Sequence, residues 1–122
     1  AVNTKSGTQT YAWSTDSEPG VQGGFGEDVS ALSHELSEWL NDPFTNNTVP
    51  AWMVPSQPQY GCSSLLETGD PLVGTVFTVQ GFSGDHLQDE AFFSWFARQA
   101  PSIAYKGLYT YLGTFKTYSP SC

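Results

Sequence analysis

The run Ser30-Ala31-Leu32-Ser33-His34-Glu35-Leu36-Ser37-Glu38-Trp39-Leu40-Asn41-Asp42-Pro43 decides how this chain is read. It puts a histidine and two carboxylates on consecutive turns of an expected helix, near 28–40. Val29, Leu32, Leu36, Trp39 and Leu40 recur at the spacing of an apolar stripe, Glu27 and Asp28 suit a first turn, and Pro43 stops the element. At about 100° per residue, His34, Glu38 and Asp42 run up a stripe roughly opposite, with Glu35 beside them. The expectation is that the leucines pack and the acidic face is presented to solvent. No Lys or Arg lies between Lys5 and Arg98. Like charges at helical spacing repel one another unless a cation intervenes.

Metal chemistry is one reading of that face. In the pattern His-Glu-x-x-His, residues i and i+4 hold zinc and the glutamate at i+1 is the general base. Here His34 and Glu38 would be ligands and Glu35 the base, a carboxylate replacing the second imidazole, which zinc accepts at nearly the same distance. A further ligand is needed, and the chain offers Glu67 and Asp70 in Leu66-Glu67-Thr68-Gly69-Asp70-Pro71, and His86. Glu38, Asp42, Glu67 and Asp70 could instead form an oxygen-rich calcium cage. Against both stands a plainer reading: a wet helix face, an Asp-Pro turn, and a histidine near the start of a second helix.

Around this motif the pattern is α+β. A polar arm or edge strand occupies residues 1–24, with a strand at Thr8 to Ser14, and a single domain occupies 25–122. Pro43 to Gly61 reads as a long ordered loop pinned by Trp52 and Tyr60. Val73 to Val79 alternates as a strand, Leu87 to Ala97 reads as a second helix that starts near Ser83 or Asp85, and Ile103 to Tyr109 and Tyr111 to Tyr118 complete a small antiparallel sheet. Cys62 and Cys122, the only cysteines, suit one disulfide and an oxidising compartment. Ala1 reads as a processed N-terminus. Twelve acidic residues against four basic ones, a formal net charge of −8, argue against nucleic-acid and anionic-membrane partners. No run is long enough to span a membrane.

The strings SALSHELSEWLNDPFTNN, LLETGDPLVGTVF and HLQDEAFFSWFARQ resemble a group of secreted bacterial zincin-like proteins, more distantly plant exordium-type proteins, over roughly residues 25 to 118. The resemblance implies a zincin-like metal helix with His34 and Glu38 as ligands, Glu35 as base and Glu67 or Asp70 completing the site. Related chains are longer before the metal helix, so the resemblance also implies the C-terminal portion of a precursor, with the N-terminal portion a possible partner, or a member that lost its catalytic half. Two expectations follow: a secreted zinc peptidase acting on polypeptides, or a non-enzymatic, calcium-binding subunit that self-assembles into a fibre through its N-terminal arm. Sugar binding through Trp13, Trp52 and Tyr60 is a third, and a carboxylate-pair glycosidase through Glu35 and Glu38 a fourth. With only two histidines and no Gly-x-Ser-x-Gly elbow, a serine triad has no support.

Overall fold

The order of elements in the computed structural model follows from short segments that pair locally. The structure describes residues 1–14, 28–54, 61–81, 85–101 and 105–122. Strands β1 (Val2–Thr4) and β2 (Gly7–Gln9) form an exposed antiparallel hairpin. Helix α1 (Ser30–Asn41) follows, then β3 (Thr48–Trp52) paired with β4 (Ser63–Leu65), and β5 (Val76–Thr78) paired with β6 (His86–Gln88). A 3-10 turn, Asp70–Leu72, and the one-turn helix α2 (Phe93–Phe96) complete the described elements. This is a small α+β domain, with two α-helices and three separate two-stranded ladders among the described residues.

Its core is aromatic. Val49, Trp52, Val54, Leu66, Leu72, Ala91, Trp95, Phe96 and Tyr109 pack together with Phe115 against them. Trp52 meets Trp95 and Phe96 edge-on, with ring centroids 5.8 and 5.4 Å apart, and Phe115 stacks on Trp95 at 4.7 Å. These offset and T-shaped geometries suit the ring quadrupoles. The buried indole N–H of Trp52 donates to the Leu65 carbonyl at 2.9 Å, which ties β3 to β4 from inside. Trp52 is therefore core and cannot belong to a sugar-stacking surface, whereas Trp13 is 71 % exposed; Tyr60 lies outside the described residues.

Several expectations are corrected. The stretch from Pro43 to Gly61 is not all loop, since it contains β3. The second helix shrinks to Phe93–Phe96. Leu87 joins β6 because residues 86–88 find ladder partners in β5, and Phe92 is extended, with its N–H bonded to the Tyr109 carbonyl. Ser83 lies outside the described residues. From Tyr111 to Tyr118 there is no strand, only turns and the isolated bridge Ala91↔Thr110 nearby. Buried Asp89 holds that region instead, accepting from the Leu112 N–H and the Thr114 hydroxyl. Ile103 lies outside the described residues, as do residues 15–24 of the expected arm.

The face of α1 is inverted relative to the sequence pattern. Ser30, Ala31 and His34 are its buried residues, while Leu32, Leu36 and Leu40 are 47, 43 and 68 % exposed. The polar face is buried because it has partners: the Ser33 hydroxyl accepts from the Gln88 N–H of β6 at 2.9 Å, and Ser37 pairs with Thr68 at 2.9 Å. Burial of polar groups costs little when each is hydrogen-bonded.

Candidate metal centre

Helix α1 supplies two of the converging groups and the segment before the 3-10 turn supplies the third. His34 Nε2 lies 3.2 Å from a Glu38 carboxyl oxygen and 3.5 Å from one of Asp70. The i, i+4 spacing stacks His34 and Glu38 on one helix face. Asp70 is brought over them by Gly69, whose N–H donates to Glu38 at 3.3 Å. A side chain at position 69 would not fit, because an added Cβ would sit 2.8 Å from Cε1 and Cγ of His34 and closer still to Nδ1. Behind the ring, the Gln88 amide nitrogen lies 2.8 Å from both His34 Nδ1 and the Gly69 carbonyl. The imidazole is thus fixed from both edges.

The group is open on one side. The His34 side chain is 3 % exposed, that of Glu38 15 % and that of Asp70 50 %. His34, Glu38 and Asp70 each offer a ligand atom within 4.8 Å of the others, so the three could hold a metal ion. Around a tetrahedral zinc with bonds of about 2.0–2.1 Å, ligand atoms lie roughly 3.3 Å apart. The two measured separations bracket that value.

The electrostatics show how crowded the charges are. Burial disfavours the charged imidazole of His34, but the hydrogen bond and charge of Glu38 and then the charge of Asp70 outweigh it, raising the group to about 9. Burial pushes Glu67 up to about 7, helped by the charges of Glu38 and Asp70 and by a hydrogen bond shared with Glu38. Asp70 is raised as well, by burial and then by Glu38, with Glu35 adding to the repulsion and His34 opposing it. A proton on the cluster does what a bound cation would do more completely: it offsets converging negative charge.

Each expected site residue can now be placed. His34, Glu38 and Asp70 come together; Glu67 borders them through Glu38; Glu35, half-buried on α1, is near enough for Asp70 to sense its charge. His86 is elsewhere. Its Nδ1 pairs with Asp28 at 2.7 Å, and its N–H donates to the same carboxylate. Asp42 is buried and accepts from the N–H groups of Asn46 and Asn47 at 3.0 and 3.1 Å in the turn after α1, and its charge adds to the repulsion that raises Glu67.

Two residues were missed. Gln88 orients the His34 ring, and Glu90 is a further carboxyl beside the group. Burial and then the charge of Glu38 push Glu90 up to about 8, against the pull of His34 and the Ser37 and Thr68 hydroxyls. The sequence offers one faint signal for Glu90, a carboxylate directly before the apolar run Ala91-Phe92-Phe93.

The disulfide Cys62–Cys122 is formed, with Cα atoms 6.0 Å apart. Among the described residues no helix is long and apolar enough to cross a membrane. No protein-family model, no curated protein and no solved structure matches this chain.

Proposed function

We propose that this chain is a secreted, metal-dependent peptidase. His34, Glu38 and Asp70 would hold the cation, zinc before others, and Glu35 would act as the general base. The observation that supports this reading is the convergence of one imidazole and two carboxylates at zinc-ligand spacing with one side open to solvent. The donor set fits: one nitrogen and two oxygens leave a fourth position, as in catalytic rather than structural zinc sites. Binding would exchange the proton held by His34 for the metal, so uptake is expected to release protons. A bound ion would supply Lewis acidity toward a peptide carbonyl. Glu35, one residue from His34, would take the proton of the attacking water and return it to the leaving amine. The peptide C–N bond breaks and the water oxygen stays on the acyl carbon.

The test is elemental mass spectrometry of the purified protein, followed by assay of Glu35→Gln on an unstructured polypeptide. One zinc per chain in both proteins, with cleavage lost only in the variant, is the expected result. Absence of zinc at micromolar supply would sink the reading. A second reading, calcium binding in a structural subunit, draws on the proximity of Glu67 to Glu38 and Asp70. It predicts calcium in the same measurement and no dependence on Glu35.

A further inference from the structure

The two long edges of the β5–β6 ladder are finished differently. Val76 stands opposite Gln88, Phe77 opposite Leu87 and Thr78 opposite His86. The Asp89 N–H donates to the Thr75 carbonyl at 2.7 Å, so residues 75 and 89, and two positions on 77 and 87, are the pairs that face each other through hydrogen bonds. The backbone groups of 86 and 88 on β6, and of 76 and 78 on β5, therefore point away from the ladder. On β6 that outer edge is closed. Asp28, just before α1, accepts from the His86 N–H at 2.8 Å, and Ser33 of α1 accepts from the Gln88 N–H at 2.9 Å. On β5 the outward N–H groups of Val76 and Thr78 have no partner among the described residues. Nor does the strand guard itself: Thr75-Val76-Phe77-Thr78-Val79 has no charge and no proline, the residues that usually blunt an open edge.

The same ladder carries an apolar trough. Phe77 and its cross-strand neighbour Leu87, with Val79, Phe92 and Tyr111, line a cavity of about 370 Å³. Val79 and Leu87 also line an adjoining hollow of about 280 Å³ that reaches Val29 and Asp85. Phe77 stacks on Tyr111 with ring centroids 4.7 Å apart, which braces the wall.

We propose that the free edge of β5 takes up an extended segment of another polypeptide as a third strand, with every second side chain of that segment, uncharged and apolar, seated in the trough. A row of unpaired main-chain groups selects an extended backbone, and the period of two in a strand turns alternate side chains toward one face. The wall of the trough sets the character of those side chains. Charge sets the rest: the chain carries a net charge of −8, and exposed Asp85 stands at one end of the trough, so the segment that fits is neutral or basic. A second copy paired edge to edge would bring a further −8 to the seam. The inference concerns binding alone and does not rest on the metal group.

The test titrates the intact protein, in EDTA, with the end-capped peptide Lys-Thr-Phe-Thr-Phe-Thr-Lys, read by two-dimensional amide NMR and amide hydrogen exchange. Shifts at Val76, Thr78 and Leu87 are expected, with slower exchange of the Val76 and Thr78 amide protons. A peptide with serine in place of phenylalanine should bind about tenfold more weakly. Two further peptides are N-methylated, one at the phenylalanine amides and one at the threonine amides. Only one of these sets faces β5, so one peptide should lose binding and the other keep it. Thr78→Pro, which removes an outward donor without touching the ladder, should lose binding as well. Unchanged exchange at Val76 and Thr78, or no difference between the two methylated peptides, overturns the proposal, and both comparisons use the unmodified protein, so they stand even if the variant fails to fold. A chain that alone sediments as a dimer with those two amides protected would make a second copy the occupant and overturn it too.

Discussion

Gly69 shows how much of this site hangs on a single hydrogen atom in place of a side chain. Its backbone touches Glu38 through N–H and Gln88 through C=O, and the His34 ring occupies the space where a Cβ would go. Gly69→Ala is expected to cost roughly 1–3 kcal/mol, the range for overpacking, and to lower metal uptake at the same time; calorimetry and elemental analysis of one preparation check both. A stable variant with unchanged uptake would mean that the ring has more room than the structure gives it. His34, Glu38 and Asp70 were legible in the sequence because their spacing and turn context are local features. Gln88 and Glu90 were not, because they reach the site only through the extended path of residues 86–92, which the apolar periodicity of Leu87 to Ala97 disguised as helix.

Helix α1 was legible as an element and misleading as a surface. Periodicity located its extent to within two residues at each end, but the face that packs was decided by partners contributed from Thr68, Gly69 and Gln88, which spacing alone cannot reveal. Leu36→Ser is therefore expected to change stability by less than about 0.5 kcal/mol, as for an exposed position, where a packed leucine would lose several times more; denaturant unfolding discriminates. At the helix entry, burial disfavours the charge on Asp28, but hydrogen bonds from the His86 side chain and backbone and from the Val29 N–H outweigh this and lower its pKa. Because the folded value lies below the unfolded one, the stabilisation is fully present above the unfolded pKa of about 3.9 and is lost as pH falls through the folded value. Asp28→Asn should flatten the stability profile below about pH 4 while costing roughly 1–3 kcal/mol near neutrality; a profile as steep as that of the parent protein would contradict the pairing.

At the scale of the molecule, three small ladders among the described residues replace the single sheet that alternation suggested, because short strands found local antiparallel neighbours and the core is aromatic rather than a continuous ladder. The disulfide closes a sequence separation of 60 residues. In the chain-entropy model its loss costs about 4 kcal/mol, so Cys62→Ser with Cys122→Ser should show a markedly lower denaturant midpoint. Retention of the parent midpoint would argue that the unfolded chain is already compact. The native tail has a second fastening, however. Arg98 donates to the carbonyls of Ala51, Ser119 and Pro120, the Ser119 N–H reaches Trp95, and Ser121 bridges Trp52. The C-terminus is thus a strap with two buckles, one covalent and one made by a guanidinium, and opening the first leaves the strap lying where it was. Reducing agents should weaken this protein against unfolding without loosening its folded form, which separates its shape from the redox poise of whatever compartment surrounds it.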